Sequence, residues 1–116
     1  MASLTIYHNP RCSKSRQTLQ LLNDANADIE IVEYLKTPPT VETLANILTL
    51  LDIEPRALMR VKEAEYKEQN LADTNLTTAE LLAAMVATPK LIERPIVMND
   101  SQACIGRPPE NVLALL

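Results

Sequence analysis

The opening third of the chain changes hydrophobic period three times. Leu4-Thr5-Ile6-Tyr7 alternates apolar and polar positions, the pattern of a half-buried strand. His8-Asn9-Pro10-Arg11 breaks that pattern, since proline lacks a backbone donor and asparagine favours turns. From Ser13 to Asn26 the period is helical, with Leu19, Leu22 and Ala25 on one stripe. Ile29-Glu30-Ile31-Val32-Glu33-Tyr34 alternates again and is β-branched, a second strand. Strand, helix and strand in succession make a βαβ unit with parallel strands and a right-handed crossover.

A helical block follows. Thr37-Pro38-Pro39-Thr40 stops regular structure and restarts it, with Thr40 capping a helix that carries Val41, Leu44, Ile47, Leu48 and Leu51. Pro55 opens a short helix through Arg60, and a further turn covers Glu63 to Gln69. Thr77 and Glu80 form a capping box for a helix rich in Leu81, Leu82, Ala84 and Met85, which Pro89 ends. Ile96-Val97-Met98, the turn Asn99-Asp100-Ser101 and Gln102 to Ile105 make a hairpin, and Pro109 to Leu116 a last helix. The order predicts an α/β fold: a small mixed four-stranded sheet, flanking helices and an inserted helical block, in a single domain over residues 1–116.

Composition narrows the function. With no Phe or Trp and three Tyr, the core is aliphatic and platforms for stacking nucleic-acid bases are scarce. A net charge of −4 argues against DNA or an anionic membrane as the main partner, because both call for a basic footprint. No apolar run approaches the roughly 18 residues of a membrane helix. The first residues also lack a basic stretch followed by a long apolar one, so the cytoplasm is the expected compartment. Cys12 and Cys104 are far apart, and a structural disulfide is not expected in that compartment. Two cysteines and one histidine also fall short of a four-ligand zinc site, so no metal is expected.

The chemistry points to Cys12, placed where the turn gives way to the first helix. Unpaired amides and the helix dipole favour a thiolate there, lowering the thiol pKa below its free value of about 8.5. Arg11, Lys14 and Arg16 add cations, and the Ser15 hydroxyl is placed to donate to the sulfur. His8, four residues earlier, is a candidate for holding the thiolate charge. Cys12-Ser13-Lys14-Ser15 has no second cysteine, so a mixed disulfide at Cys12 needs an external thiol to release it, unless Cys104 folds close by. Cys104, within Ala103-Cys104-Ile105, reads as a buried structural residue.

The run His8-Asn9-Pro10-Arg11-Cys12-Ser13-Lys14-Ser15-Arg16 resembles the glutaredoxin-coupled arsenate reductases of the ArsC family, and is closest to a short ArsC-related subgroup. Thr37-Pro38-Pro39-Thr40, Arg56-Ala57-Leu58-Met59-Arg60, Glu93-Arg94-Pro95-Ile96-Val97 and Gly106-Arg107-Pro108-Pro109-Glu110 extend the similarity along the chain. Ser13-Lys14 departs from the Gly-Thr common in the family at that place.

The resemblance implies a thioredoxin-like fold, Cys12 as the catalytic residue, and an oxyanion site made by Arg60, Arg94 and Arg107, with Arg94-Pro95 matching a cis peptide. It implies arsenate or a related oxyanion as substrate, no bound cofactor, glutathione as co-substrate and glutaredoxin as partner. Arginine suits an oxyanion because its planar fork grips two oxygens at once, where lysine offers a point charge. Two further readings remain: a general glutathione-linked thiol–disulfide oxidoreductase, and a non-enzymatic regulator of the Spx type. The second normally carries a C-x-x-C switch, which Ser15 removes here.

Overall fold

The computed structural model describes residues 3–116. It divides into two compact units. One runs to Thr37 and resumes at Arg94; the other is Pro38–Glu93.

The first unit holds the sheet. Strands β1 (Ser3–His8) and β2 (Asp28–Glu33) are parallel and joined through helix α1 (Ser13–Asp24). Strand β3 (Ile96–Met98) runs antiparallel to β1, and β4 (Ala103–Ile105) antiparallel to β3. The order β2-β1-β3-β4 is the mixed four-stranded, thioredoxin-like sheet that the pattern and the resemblance predict.

Register explains the core. Leu4 faces Ile29, Ile6 faces Val97, and Val97 faces Cys104, so one sheet face gathers aliphatic side chains. Leu22 of α1 and Val112 and Leu115 of the final helix cover that face. Burying such side chains contributes roughly 1.5–3 kcal/mol each. Because β2 is an edge strand, Ile31 remains 51% exposed despite its apolar character.

The buried stripe of α1 is Ser15, Thr18 and Leu22, with Leu19 partly buried, which replaces the Leu19, Leu22 and Ala25 stripe of the sequence reading. Two hydroxyls tolerate burial because both are satisfied. Thr18 Oγ1 donates to the Lys14 carbonyl at 2.8 Å, and Ser15 Oγ pairs with His8. The last helix, Pro109–Leu115, is a 3-10 helix with Pro109, Val112 and Leu115 buried. That three-residue spacing places all three on one face of a helix with about 3.0 residues per turn.

The second unit is helical: α2 (Val41–Leu51), α3 (Ala64–Glu68) and α4 (Thr78–Ala87), with short 3-10 turns at Pro55–Leu58 and Pro89–Leu91. Thr40 Oγ1 accepts the Thr43 amide at 3.1 Å, and Thr77 and Glu80 complete the expected capping box. Pro89 opens a turn of its own rather than only ending α4. An antiparallel bridge between Met59 and Ile92, which no local pattern signals, closes the block.

The chain has one glycine, and left-handed backbone is taken instead by Asn26, Asp52 and Asn70. Gly106 serves close approach. A Cβ there would lie 2.6 Å from Thr18 Oγ1 and 2.8 Å from Pro95 Cγ. Thr18 is fully buried and the proline ring is rigid, so neither retreats easily. Gly106→Ala is expected to lower unfolding free energy by about 1–3 kcal/mol, as for other overpacked cores. Urea denaturation measures it.

No described helix is long and apolar enough to cross a membrane, and the described residues hold no cluster of three or more His, Cys, Asp or Glu suited to a metal ion.

Candidate functional site

The end of β1 and the start of α1 are tied together by a compact turn. The Cys12 amide donates to the Asn9 carbonyl at 3.0 Å, and Asn9 Oδ1 accepts the Arg11 amide at 3.0 Å. Arg16 Nη1 clasps the Pro10 carbonyl at 2.9 Å. Cys12 is thereby the N-cap residue of α1, extended at φ −92° and ψ 123°, with its carbonyl accepting the Arg16 amide at 3.0 Å.

Cys12 is 9% exposed. Burial pushes its thiol up, but the Ser15 amide, the Arg94 guanidinium and the Lys14 amide outweigh it and hold the pKa below the ordinary value. Arg107 Nη2 points at Sγ from 3.8 Å while its Nε donates to the Arg94 carbonyl at 2.8 Å. The Arg94–Pro95 peptide is cis, as the resemblance implies, and so is Arg107–Pro108.

The structure therefore brings Cys12, Arg94 and Arg107 together. Arg60 lies in the helical unit, where its Nη2 meets Glu63 Oε1 at 2.7 Å. Lys90 Nζ shares Glu63 through Oε2 at 3.4 Å and also meets Glu65 at 3.3 Å. Glu63 was not singled out from sequence. Arg60 and Glu63 close a turn in which the Glu63 amide donates to the Arg60 carbonyl at 3.1 Å.

Two expectations change. The Ser15 hydroxyl does not serve the sulfur: its Oγ accepts the Asn9 amide at 3.0 Å and meets His8 Nδ1 at 2.6 Å, so the Ser15 contribution to Cys12 comes from its backbone. His8 does not supply a cation. Burial lowers its pKa, Glu33 opposes that and Arg16 adds to it, leaving a neutral ring at pH 7. One proton bridges His8 and Ser15, and the pair braces the turn that holds Cys12. Among the cations near Cys12, Arg94 favours the charged form of the sulfur, and Arg107 Nη2 stands 3.8 Å from it.

Cys104 is half-buried in β4 against the core, and burial pushes its thiol up to about 11. The two cysteines should therefore separate by reactivity. Cys12 is expected to alkylate at a pH below that of an ordinary thiol and Cys104 only well above it. Site-resolved iodoacetamide labelling across pH, read by mass spectrometry, checks both.

The sequence model of the ArsC family matches residues 7–115. The uncharacterized protein YfgD of Escherichia coli strain K12 is 54% identical over 112 residues, covering 96% of this chain and 94% of that one. An arsenate reductase of Neisseria meningitidis serogroup B is 45% identical over 117 residues, covering 100% of each. Among solved structures, an arsenate reductase from Vibrio cholerae matches with a TM-score of 0.96 at 52% identity, over 99% of this chain and 98% of that one.

Proposed function

The chain belongs to the ArsC family, and from that premise we propose that it is an arsenate reductase-like oxidoreductase in which the Cys12 thiolate attacks arsenate. The observation that carries this reading is a thiol of lowered pKa at a helix start with two guanidinium groups, Arg94 and Arg107, directed at it. Two anions must meet for attack, and fixed positive charge in a partly dehydrated place offsets their repulsion.

As the sulfur–arsenic bond forms, one arsenate oxygen leaves as water. Arg94 and Arg107 present forks that match pairs of arsenate oxygens. Glutathione then joins, its sulfur replacing a second arsenic-bound hydroxyl, which departs as water with the thiol proton. A further thiol, from glutaredoxin, takes the glutathione sulfur as a mixed disulfide and leaves the electron pair on arsenic, which passes from pentavalent to trivalent. Hydrolysis of the remaining sulfur–arsenic bond releases arsenite and restores Cys12. Thiols, rather than a resident cofactor, supply both electrons.

The test is arsenate-dependent NADPH oxidation in the presence of glutathione, glutaredoxin and glutathione reductase. Turnover that requires arsenate and all three thiol components is expected. A chain whose Cys12 alkylates as a thiolate but gives no arsenate-dependent oxidation would remove arsenate as substrate.

A further inference from the structure

Strands β1 and β2 are parallel and in register, with His8 opposite Glu33 at their carboxyl ends. The segments leaving them diverge: one turns into the loop that carries Cys12, while the other folds back as the Lys36 and Thr37 amides both donate to the Glu33 carbonyl at 2.9 Å. Between them lies a cavity of about 210 Å³ whose walls include Pro10, Arg11, Glu33, Leu35 and Lys36.

The chemistry of the walls is specific. Pro10 and Leu35 give an apolar floor, and Leu35 is 45% exposed. Arg11 and Lys36 offer two cations and Glu33 one carboxylate. Glu33 and Lys36 already pair at 3.7 Å, but Lys36 is exposed and Glu33 partly so, and a surface pair of that kind is held weakly enough to be exchanged. A ligand with an ammonium and a carboxylate on neighbouring atoms would replace it, pole for pole. The volume is below the roughly 300–1,000 Å³ of sites that enclose a drug-sized molecule, so it suits one end of a short peptide.

We propose that this cavity is the docking site for glutathione, receiving a charged end of the peptide between Glu33, Lys36 and Arg11 and directing its thiol to Cys12. Reach is adequate. Arg11 and Cys12 are consecutive, with Cα atoms about 3.8 Å apart, and the thiol of glutathione sits on its middle residue, one residue from either end. The free α-amino acid head of glutathione carries both charges that the Glu33–Lys36 pair can exchange, which an internal peptide segment lacks. This assignment rests on the reading of Cys12 as the nucleophile whose arsenic adduct glutathione joins.

Binding is tested without that chemistry by titrating isotopically labelled protein with S-methylglutathione, which cannot form a disulfide or bind arsenic through a free thiol. Saturable amide shifts at Arg11, Leu35 and Lys36 are expected, and their loss in Lys36→Glu. In the coupled assay the same substitution should raise KM for glutathione about tenfold, the size of one lost contact between charged groups, and leave KM for arsenate unchanged. Lys36 is exposed, so the variant should fold as the parent does, which urea denaturation verifies. Shifts absent, or centred on Arg94 and Arg107, would overturn the assignment, as would shifts produced at these residues by glutaredoxin alone. Cavity shifts without arsenate turnover would leave it standing and sink the proposed function instead.

Discussion

Cys12→Ser is expected to lose arsenate-dependent turnover to background, a drop of at least about a thousandfold, as when other enzymes lose a nucleophile. A serine hydroxyl stays protonated in a place that lowers the pKa of a thiol, so it offers no anion to attack arsenic. The variant is informative because its fold should not suffer. Cys12 occupies the N-cap of α1 and makes no side-chain cap bond, while serine is among the residues preferred there. Unchanged or slightly raised stability with lost turnover would assign Cys12 to chemistry alone. Retained turnover would place the nucleophile elsewhere. In the wild-type chain, activity should fall in acid as pH drops through the lowered Cys12 pKa and the thiolate is protonated.

Arg94→Gln and Arg107→Gln should each lower kcat/KM for arsenate by about 2–4 kcal/mol of transition-state stabilisation, or roughly 30- to 1,000-fold. The two should differ in a second readout. Arg94 acts directly on the charge of the thiolate, so its loss should also move the Cys12 alkylation profile to higher pH. Arg107 reaches Sγ at 3.8 Å while anchored on the Arg94 carbonyl, and its loss should fall chiefly on arsenate. Lysine at either position keeps the charge but not the fork, and should recover only part of the rate. Equal alkylation profiles for the two variants would contradict this division.

Local signals served the fold well. The alternation of Leu4 and Ile6 and the caps at Thr40 and Thr77 depend on residues a few positions apart, and each is present as read. Longer-range features were out of reach. Met59 bridges Ile92 through tertiary packing, and Arg107 meets a sulfur 95 positions away, so composition and period could not pair them. The resemblance groups Arg60, Arg94 and Arg107; the structure sets Arg94 and Arg107 by Cys12 and pairs Arg60 with Glu63 in the helical unit. Ser15 shows the opposite error. Its spacing from Cys12 suggested a direct bond, but the turn geometry delivers its hydroxyl to a histidine seven positions earlier. Polar residues on an apolar stripe, Ser15 and Thr18, were similarly invisible as core because only the folded chain shows their partners.

The contrast between the two cysteines bears on survival under peroxide stress. An oxidant meets one sulfur that ionises more readily than an ordinary thiol and another kept protonated by its surroundings. Injury should therefore concentrate on the very atom the proposed chemistry uses, first as a sulfenic acid. With Ser15 where a resolving cysteine would stand and Cys104 set against the core, repair calls for an external thiol. Where such thiols run low, further oxidation to the sulfinic state makes the loss permanent.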